Sequence, residues 1–130
     1  NTSDLNKEPR PLDKGLWDGA VDTVGGKILA NVISQTKPSG IVAACGNAGG
    51  ITLNTSVMPF IIRGIKLWGI DSVMISKKRR EFIWSQVSGL IDFKLLEKNI
   101  KIVSLEELLN IFPKMLNGET TGRILVDPNK

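Results

Sequence analysis

The sequence predicts an α/β fold in which parallel strands carry flanking helices. Three observations predict it. Ile41 to Cys45 is a short, wholly apolar run bounded by turn residues, the pattern of a strand buried on both faces. Before it, Ile28, Leu29, Val32 and Ile33 recur at helical spacing, and Leu16 to Val24 reads as a strand before that. After it, Ile65 to Ile70 reads as a third strand. A strand, helix, strand order implies a right-handed crossover between parallel neighbours.

The elements follow in order. Asn1 to Gly15 carries Pro9, Pro11 and polar residues, and reads as a loop or extended arm. Leu16 to Val24 ends with Asp22 and Thr23, and Gly25-Gly26 breaks it. A helix spans Lys27 to Lys37, and Pro38 stops it. The Ile41 to Cys45 strand follows. A short helix opens near Pro59, since proline suits a first helical turn. The third strand delivers Asp71 and Ser72 at its carboxyl end. Ser76 suits the N-cap of a helix from Lys77 to Ile91, with Ile83, Val87, Leu90 and Ile91 as its buried face. Ile100 to Val103 is a fourth strand. Ser104 and Glu107 have the spacing of a capping box for a helix that Pro113 bends or shortens and Asn117-Gly118 ends. Gly122 to Asp127 is the last strand.

Composition narrows the chemistry. At 130 residues and 42% hydrophobic content, the chain suits one compact domain. No apolar run approaches the roughly 20 residues of a membrane span. Polar Asn1 to Lys14 is unlike a signal peptide, and an Asn start fits a processed or cut product. There is no histidine, no tyrosine and one cysteine. Ser-His and Cys-His nucleophile pairs and a Cys/His zinc site are therefore excluded within the chain, and no metal is expected. One cysteine makes no internal disulfide and points to the reducing cytoplasm. The net charge of +4 suits a small anionic ligand without requiring one. With aromatics at 5%, no nucleic acid partner is expected.

The candidate site is the glycine-rich bend after the central strand, Gly46-Asn47-Ala48-Gly49-Gly50. Open α/β sheets place ligands beyond the carboxyl ends of their strands, and glycine lets a ligand approach the main chain. The stretch reads equally as a tight turn without a ligand. Lys77, Lys78, Arg79 and Arg80 crowd a helix start, against the helix dipole. That cluster invites an anion, or is a solvated face beside Glu81. Cys45 reads as a small buried hydrophobe rather than a nucleophile. Asp71 reads also as a turn cap, and Thr23 as a plain strand end.

Five blocks carry a family resemblance: Trp17 to Gly25 (WDGAVDTVG), Val42 to Gly50 (VAACGNAGG), Val57 to Gly64 (VMPFIIRG), Gly69 to Val73 (GIDSV) and Gly122 to Val126 (GRILV). The chain resembles the carboxyl-terminal portion of a zinc-independent medium-chain dehydrogenase/reductase, in the quinone-oxidoreductase-like branch that contains the NADPH-dependent acryloyl-CoA reductases. The resemblance implies a partial Rossmann fold over residues 1–99, with three parallel strands. Residues 100–130 would be a strand-helix-strand return to a GroES-like substrate domain. It implies NADPH as cofactor and hydride transfer to an activated C=C bond of an enoyl thioester or quinone. Thr23 and Val24 would lie beside ribose and pyrophosphate. Cys45, Gly46, Asn47 and Ala48 would line the nicotinamide pocket, Ile70, Asp71 and Ser72 would border the carboxamide, and Arg123 would approach an anionic group. No catalytic residue is assigned.

The phosphate-binding G-x-G-x-x-G turn of such folds is absent from these residues. Weak or absent NADPH binding is therefore expected of the isolated 130 residues, as is a homo-oligomer, a dimer, formed through unpaired strand edges. The competing reading is a non-catalytic interaction domain. An anion-binding or nucleic-acid-binding module using Lys77 to Arg80 is a third.

Overall fold

The computed structural model describes residues 2–130. The chain forms two compact units, one running to Ser76 and one from Lys77 to Lys130. In the first, the elements are α1 (Thr2–Leu5), β1 (Trp17–Asp22), α2 (Gly26–Ser34), β2 (Thr36–Ala44), α3 (Met58–Arg63) and β3 (Lys66–Gly69). The second holds α4 (Lys77–Leu90), α5 (Phe93–Glu97), β4 (Ile100–Val103), α6 (Leu108–Leu116) and β5 (Arg123–Val126).

The three strands of the first unit form one parallel sheet in the order β1-β2-β3. Their registers place Asp22 opposite Ala44, and Ala44 opposite Gly69. The carboxyl ends of all three strands therefore finish level, on one side of the sheet. Helix α2 covers one face with the apolar stripe read from its spacing. Leu29, Val32 and Ile33 pack with Val42 and Ile65, and Ala20, Ala44 and Leu67 border them. Ile33 and Val42 are wholly buried.

The opposite sheet face is open. Val21 is 76% exposed and Trp68 62%, and Ile41 is exposed beside them. The expectation that Ile41 to Cys45 is buried on both faces is thus corrected: alternate side chains of β2 point to opposite faces, and α2 covers only one. The boundary before it also moves. Helix α2 ends at Ser34, where Gln35 N–H turns back to Asn31 O, and β2 already starts at Thr36, ahead of Pro38. Residues 37–40 loop out of register between the pairs Trp17–Thr36 and Gly19–Ile41, and Ser39 there has φ +64°. Pro38, which has no N–H to give a ladder, sits in that irregular stretch.

The amino-terminal arm is pinned. The Asn31 amide donates to Leu5 O at 2.9 Å and Lys7 O at 2.8 Å. The Arg63 guanidinium donates to Ser34 O at 3.0 Å, to Thr36 O at 2.8 Å and to Asp13 O. The arm was read as irregular, and α1 is the exception.

In the second unit, β4 and β5 pair in parallel, and Val103 and Ile111 are buried. The two capping-box bonds form, but they close the turn just before α6, which starts at Leu108 with Glu107 at its N-cap. Glu107 Oε2 accepts from Ser104 N–H at 2.8 Å, and Ser104 Oγ from Glu107 N–H at 3.4 Å. Helix α6 carries Pro113 inside it and still runs to Leu116. It closes with Gly118 at φ +70°, where Gly118 N–H reaches Met115 O and Glu119 N–H reaches Lys114 O. Helix α4 forms over nearly the expected span, but no residue of it is buried. The expectation that Ile83, Val87, Leu90 and Ile91 form a buried face is corrected, since Ile83 and Leu90 are exposed and Val87 and Ile91 only partly covered: helical spacing sets which residues share a face, and an opposing layer decides whether that face is covered. At its start, Lys77 lies 3.7 Å from Glu81. Helix α5 was not anticipated. Asp92 caps it by accepting from Lys94 N–H at 3.0 Å and Leu95 N–H at 3.2 Å.

Candidate functional site

The ends of β2 and β3 open onto a cleft of about 560 Å³ lined by Ala44, Cys45, Gly46, Asn47, Gly69, Ile70 and Asp71. That volume lies within the range of small-molecule sites. A smaller groove of about 250 Å³ runs between residues 8–11 and 54–56, away from the strand ends. The first has the position that parallel α/β sheets give to ligands.

Backbone bonds build the walls. Cys45 N–H donates to Asp22 O and Ile70 N–H to Ala44 O, both at 2.8 Å, so each strand pairing extends one residue into the loops. The glycine loop then lies on the β1–α2 turn. Ala48 N–H donates to Thr23 O at 3.4 Å, Gly49 N–H to Val24 O at 2.7 Å, and Gly25 bridges to Gly50. Two positions require glycine for this. Gly25 takes φ +71°, and a side-chain carbon on it would collide with Gly50 O. At Gly46, such a carbon would lie 2.9 Å from Thr23 Cα and nearer still to Thr23 O. The close approach sets residues 45–47 in the wall of the cleft.

Of the residues singled out from sequence, the fold brings Cys45, Gly46, Asn47, Ile70 and Asp71 together in one wall. Thr23, Val24 and Ala48 adjoin them through the loop hydrogen bonds without lining the cleft, and Ser72 follows Asp71, exposed. Arg123 stands on β5 in the second unit, exposed, and is not among the lining residues. Cys45 is exposed rather than buried, its thiol 3.4 Å from Asp22 O. The strand ends at Ala44, so Cys45 already belongs to the loop. Asp71 does cap a turn: its Oδ1 accepts from Val73 N–H at 3.0 Å and Met74 N–H at 2.9 Å.

Ala44, Gly69 and Asp22 were missed. Aligning the three strand ends would have found the first two. Asp22 is 4% exposed, and its Oδ2 accepts from Gly25 N–H at 2.8 Å. Its signal was an Asp three residues before a glycine at a strand end, the spacing of a side chain that bonds forward to its own turn. Among the described residues, no group of three or more His, Cys, Asp or Glu is placed to hold a metal. No helix among them is long and apolar enough to cross a membrane.

A parallel sheet with an opening at its carboxyl ends defines the class: part of a Rossmann-type α/β fold. No family model matches the chain. Curated relatives do. A probable acrylyl-CoA reductase, AcuI, of Escherichia coli (strain K12) is 45% identical over 122 residues, covering 94% of this chain and 38% of the relative. The acrylyl-CoA reductase AcuI of Ruegeria pomeroyi is 41% identical over 92% of this chain and 36% of its own length. Among solved structures, Escherichia coli K-12 YhdH with bound NADPH matches with a TM-score of 0.79 and 43% identity, over 95% of this chain and 38% of that one. Bacillus subtilis YhfP with NAD bound gives 0.77 and 36%, over 96% and 39%. The chain belongs to the quinone-oxidoreductase-like branch of the medium-chain dehydrogenase/reductases, and it spans a little over a third of the length of the relatives it matches.

Proposed function

We propose that these residues are the nicotinamide-side half of an NADPH-dependent oxidoreductase that reduces an activated C=C bond. The supporting observation is the cleft at the ends of β2 and β3, in a sheet whose three parallel strands finish level, lined by Cys45, Gly46, Asn47, Ile70 and Asp71. Glycine at 46 lets the loop that bears this wall close onto Thr23 without a side chain between them. Cys45 to Ala48 would hold the nicotinamide, Ile70 to Ser72 its carboxamide, and Thr23 and Val24 the adjoining ribose and pyrophosphate. Arg123 is proposed for an anionic group of the cofactor or substrate. When bound, NADPH supplies the hydride; the chain's own part is to orient the ring and exclude water from it. We assign residues 1–99 to the cofactor domain and 100–130 to the return into a substrate domain. The substrate class is an enoyl thioester such as acryloyl-CoA, by likeness to the reductases above, ahead of a quinone. The single cysteine favours the cytoplasm.

The test is NADPH consumption by the complete protein. Turnover is expected with an enoyl thioester, and none with either substrate class would refute the proposal. The 130 residues alone are expected to bind NADPH poorly; micromolar affinity there would show that the missing glycine turn is dispensable.

A second reading has its own support. The open sheet face with Val21 and Trp68, and the outer edges of β1 and β3, which pair with no other strand among the described residues, favour self-association of the 130 residues into a dimer. Sedimentation of a clean monomer at micromolar concentration would contradict it.

A further inference from the structure

We infer that Asp22 is a positioning residue for the cofactor cleft, acting through the turn on which the glycine loop rests. The inference rests on the reading that the cleft takes NADPH. One residue holds both loops. The Asp22 side chain, 4% exposed, accepts from Gly25 N–H at 2.8 Å. Its main-chain oxygen accepts from Cys45 N–H at 2.8 Å, the first residue of the cleft wall.

The carboxylate fixes Gly25 and Gly26 at φ +71° and +55°, a reversal that glycine tolerates but does not prefer. That shape presents Val24 O to Gly49 N–H at 2.7 Å and sets Gly25 against Gly50. The loop from Cys45 to Gly50 is therefore held at both ends by groups that Asp22 orients. The neighbour of Asp22 across the sheet is small and apolar, Ala44. A buried carboxylate there adds little packing, and it costs free energy unless hydrogen-bonded. Its geometric role accounts for its presence. Asp22 does not line the cleft, so it acts on the cofactor only through the loop.

The test uses the complete protein and NADPH as the probe, with Asp22→Ala and Asp22→Asn. Losing a buried hydrogen bond to a charged group corresponds to about tenfold or more in an equilibrium constant. Asp22→Ala is expected to raise the NADPH KM and Kd by about tenfold, with the KM for the enoyl thioester unchanged. Asp22→Asn keeps an oxygen that accepts from Gly25 N–H, and is expected to stay within about threefold of wild type. Unchanged NADPH affinity in Asp22→Ala would overturn the inference, as would equal losses in both variants or a parallel rise in both KM values. Should Asp22→Ala fail to fold, Gly49→Ala strains the same clasp from the other side, with its added carbon 2.8 Å from Val24 Cγ1. It too is expected to weaken NADPH selectively, and an unchanged Kd would overturn the inference. Wild-type protein that binds no NADPH would instead refute the cofactor reading itself.

Discussion

Replacing Gly46 by alanine tests the packing of the cleft wall. The new methyl would lie 2.9 Å from Thr23 Cα and Thr23 C, all backbone, so no side chain can swing away. Ordinary carbon contacts begin near about 3.5 Å, so the two loops must part by roughly 0.6 Å or more. That movement stretches the bonds from Cys45 N–H to Asp22 O and from Ala48 N–H to Thr23 O. Each contributes about 1 kcal/mol, and forced overpacking adds about 1–3 kcal/mol. The total is about 3 kcal/mol or more, or roughly 10 °C in Tm for a chain of this size. Gly69→Ala is the matched control: it lines the same cleft, yet an added carbon there meets nothing within 4 Å. Thermal melts of both variants, followed by circular dichroism, decide the matter. Gly46→Ala is expected to melt far below wild type and Gly69→Ala close to it. A Gly46→Ala protein melting within about 1 °C of wild type would refute the reasoning.

Three further outcomes are expected. Arg63→Ala removes donors to Ser34 O, Thr36 O and Asp13 O, and should cost about 2–3 kcal/mol in urea unfolding. It should also open the segment near Asp13 to protease, and an unchanged midpoint would contradict the pinning role. The Ser104 backbone N–H, helped by Lys130 and Lys101, holds the Glu107 carboxyl below its ordinary pKa. A depressed folded-state pKa means that the cap's contribution is present above the unfolded pKa and lost as pH falls through the folded one. The protection factor of the Ser104 amide, its exchange rate divided into the intrinsic rate at the same pH, should therefore fall on acidification, and Glu107→Gln should flatten that dependence; a pH-independent protection factor in wild type would contradict it. Gly89→Ala, with open space around it in exposed α4, should leave stability unchanged or raise it by up to about 1 kcal/mol. A clear loss would show a contact at that position.

Local chemistry made much of this legible in sequence. Proline at a first turn marked α3, serine and glutamate three apart marked the capping box, and Gly118 marked the end of α6. Each signal acts within a few residues, where no distant partner can override it. Burial was less legible because it depends on what lies opposite. Ile83 and Val87 have helical spacing whether or not a layer covers them, and Ile41 reads as core although its sheet face is open. The site divides in the same way. Gly46, Asn47 and Asp71 follow apolar runs, whereas Cys45 and Ile70 read as the ends of those runs and became site candidates only through the family resemblance. Asp22 did not, because its role comes from a turn that closes only when the two loops meet.

The central claim is that the loops at the ends of β2 and β3 hold the nicotinamide. A crystal structure of the complete protein with NADPH tests it most directly. The account predicts ring atoms in van der Waals contact, within about 4 Å, with the main chain of Cys45 to Ala48, and the carboxamide beside Ile70 to Ser72. A nicotinamide bound elsewhere, with that wall left to solvent, would contradict it.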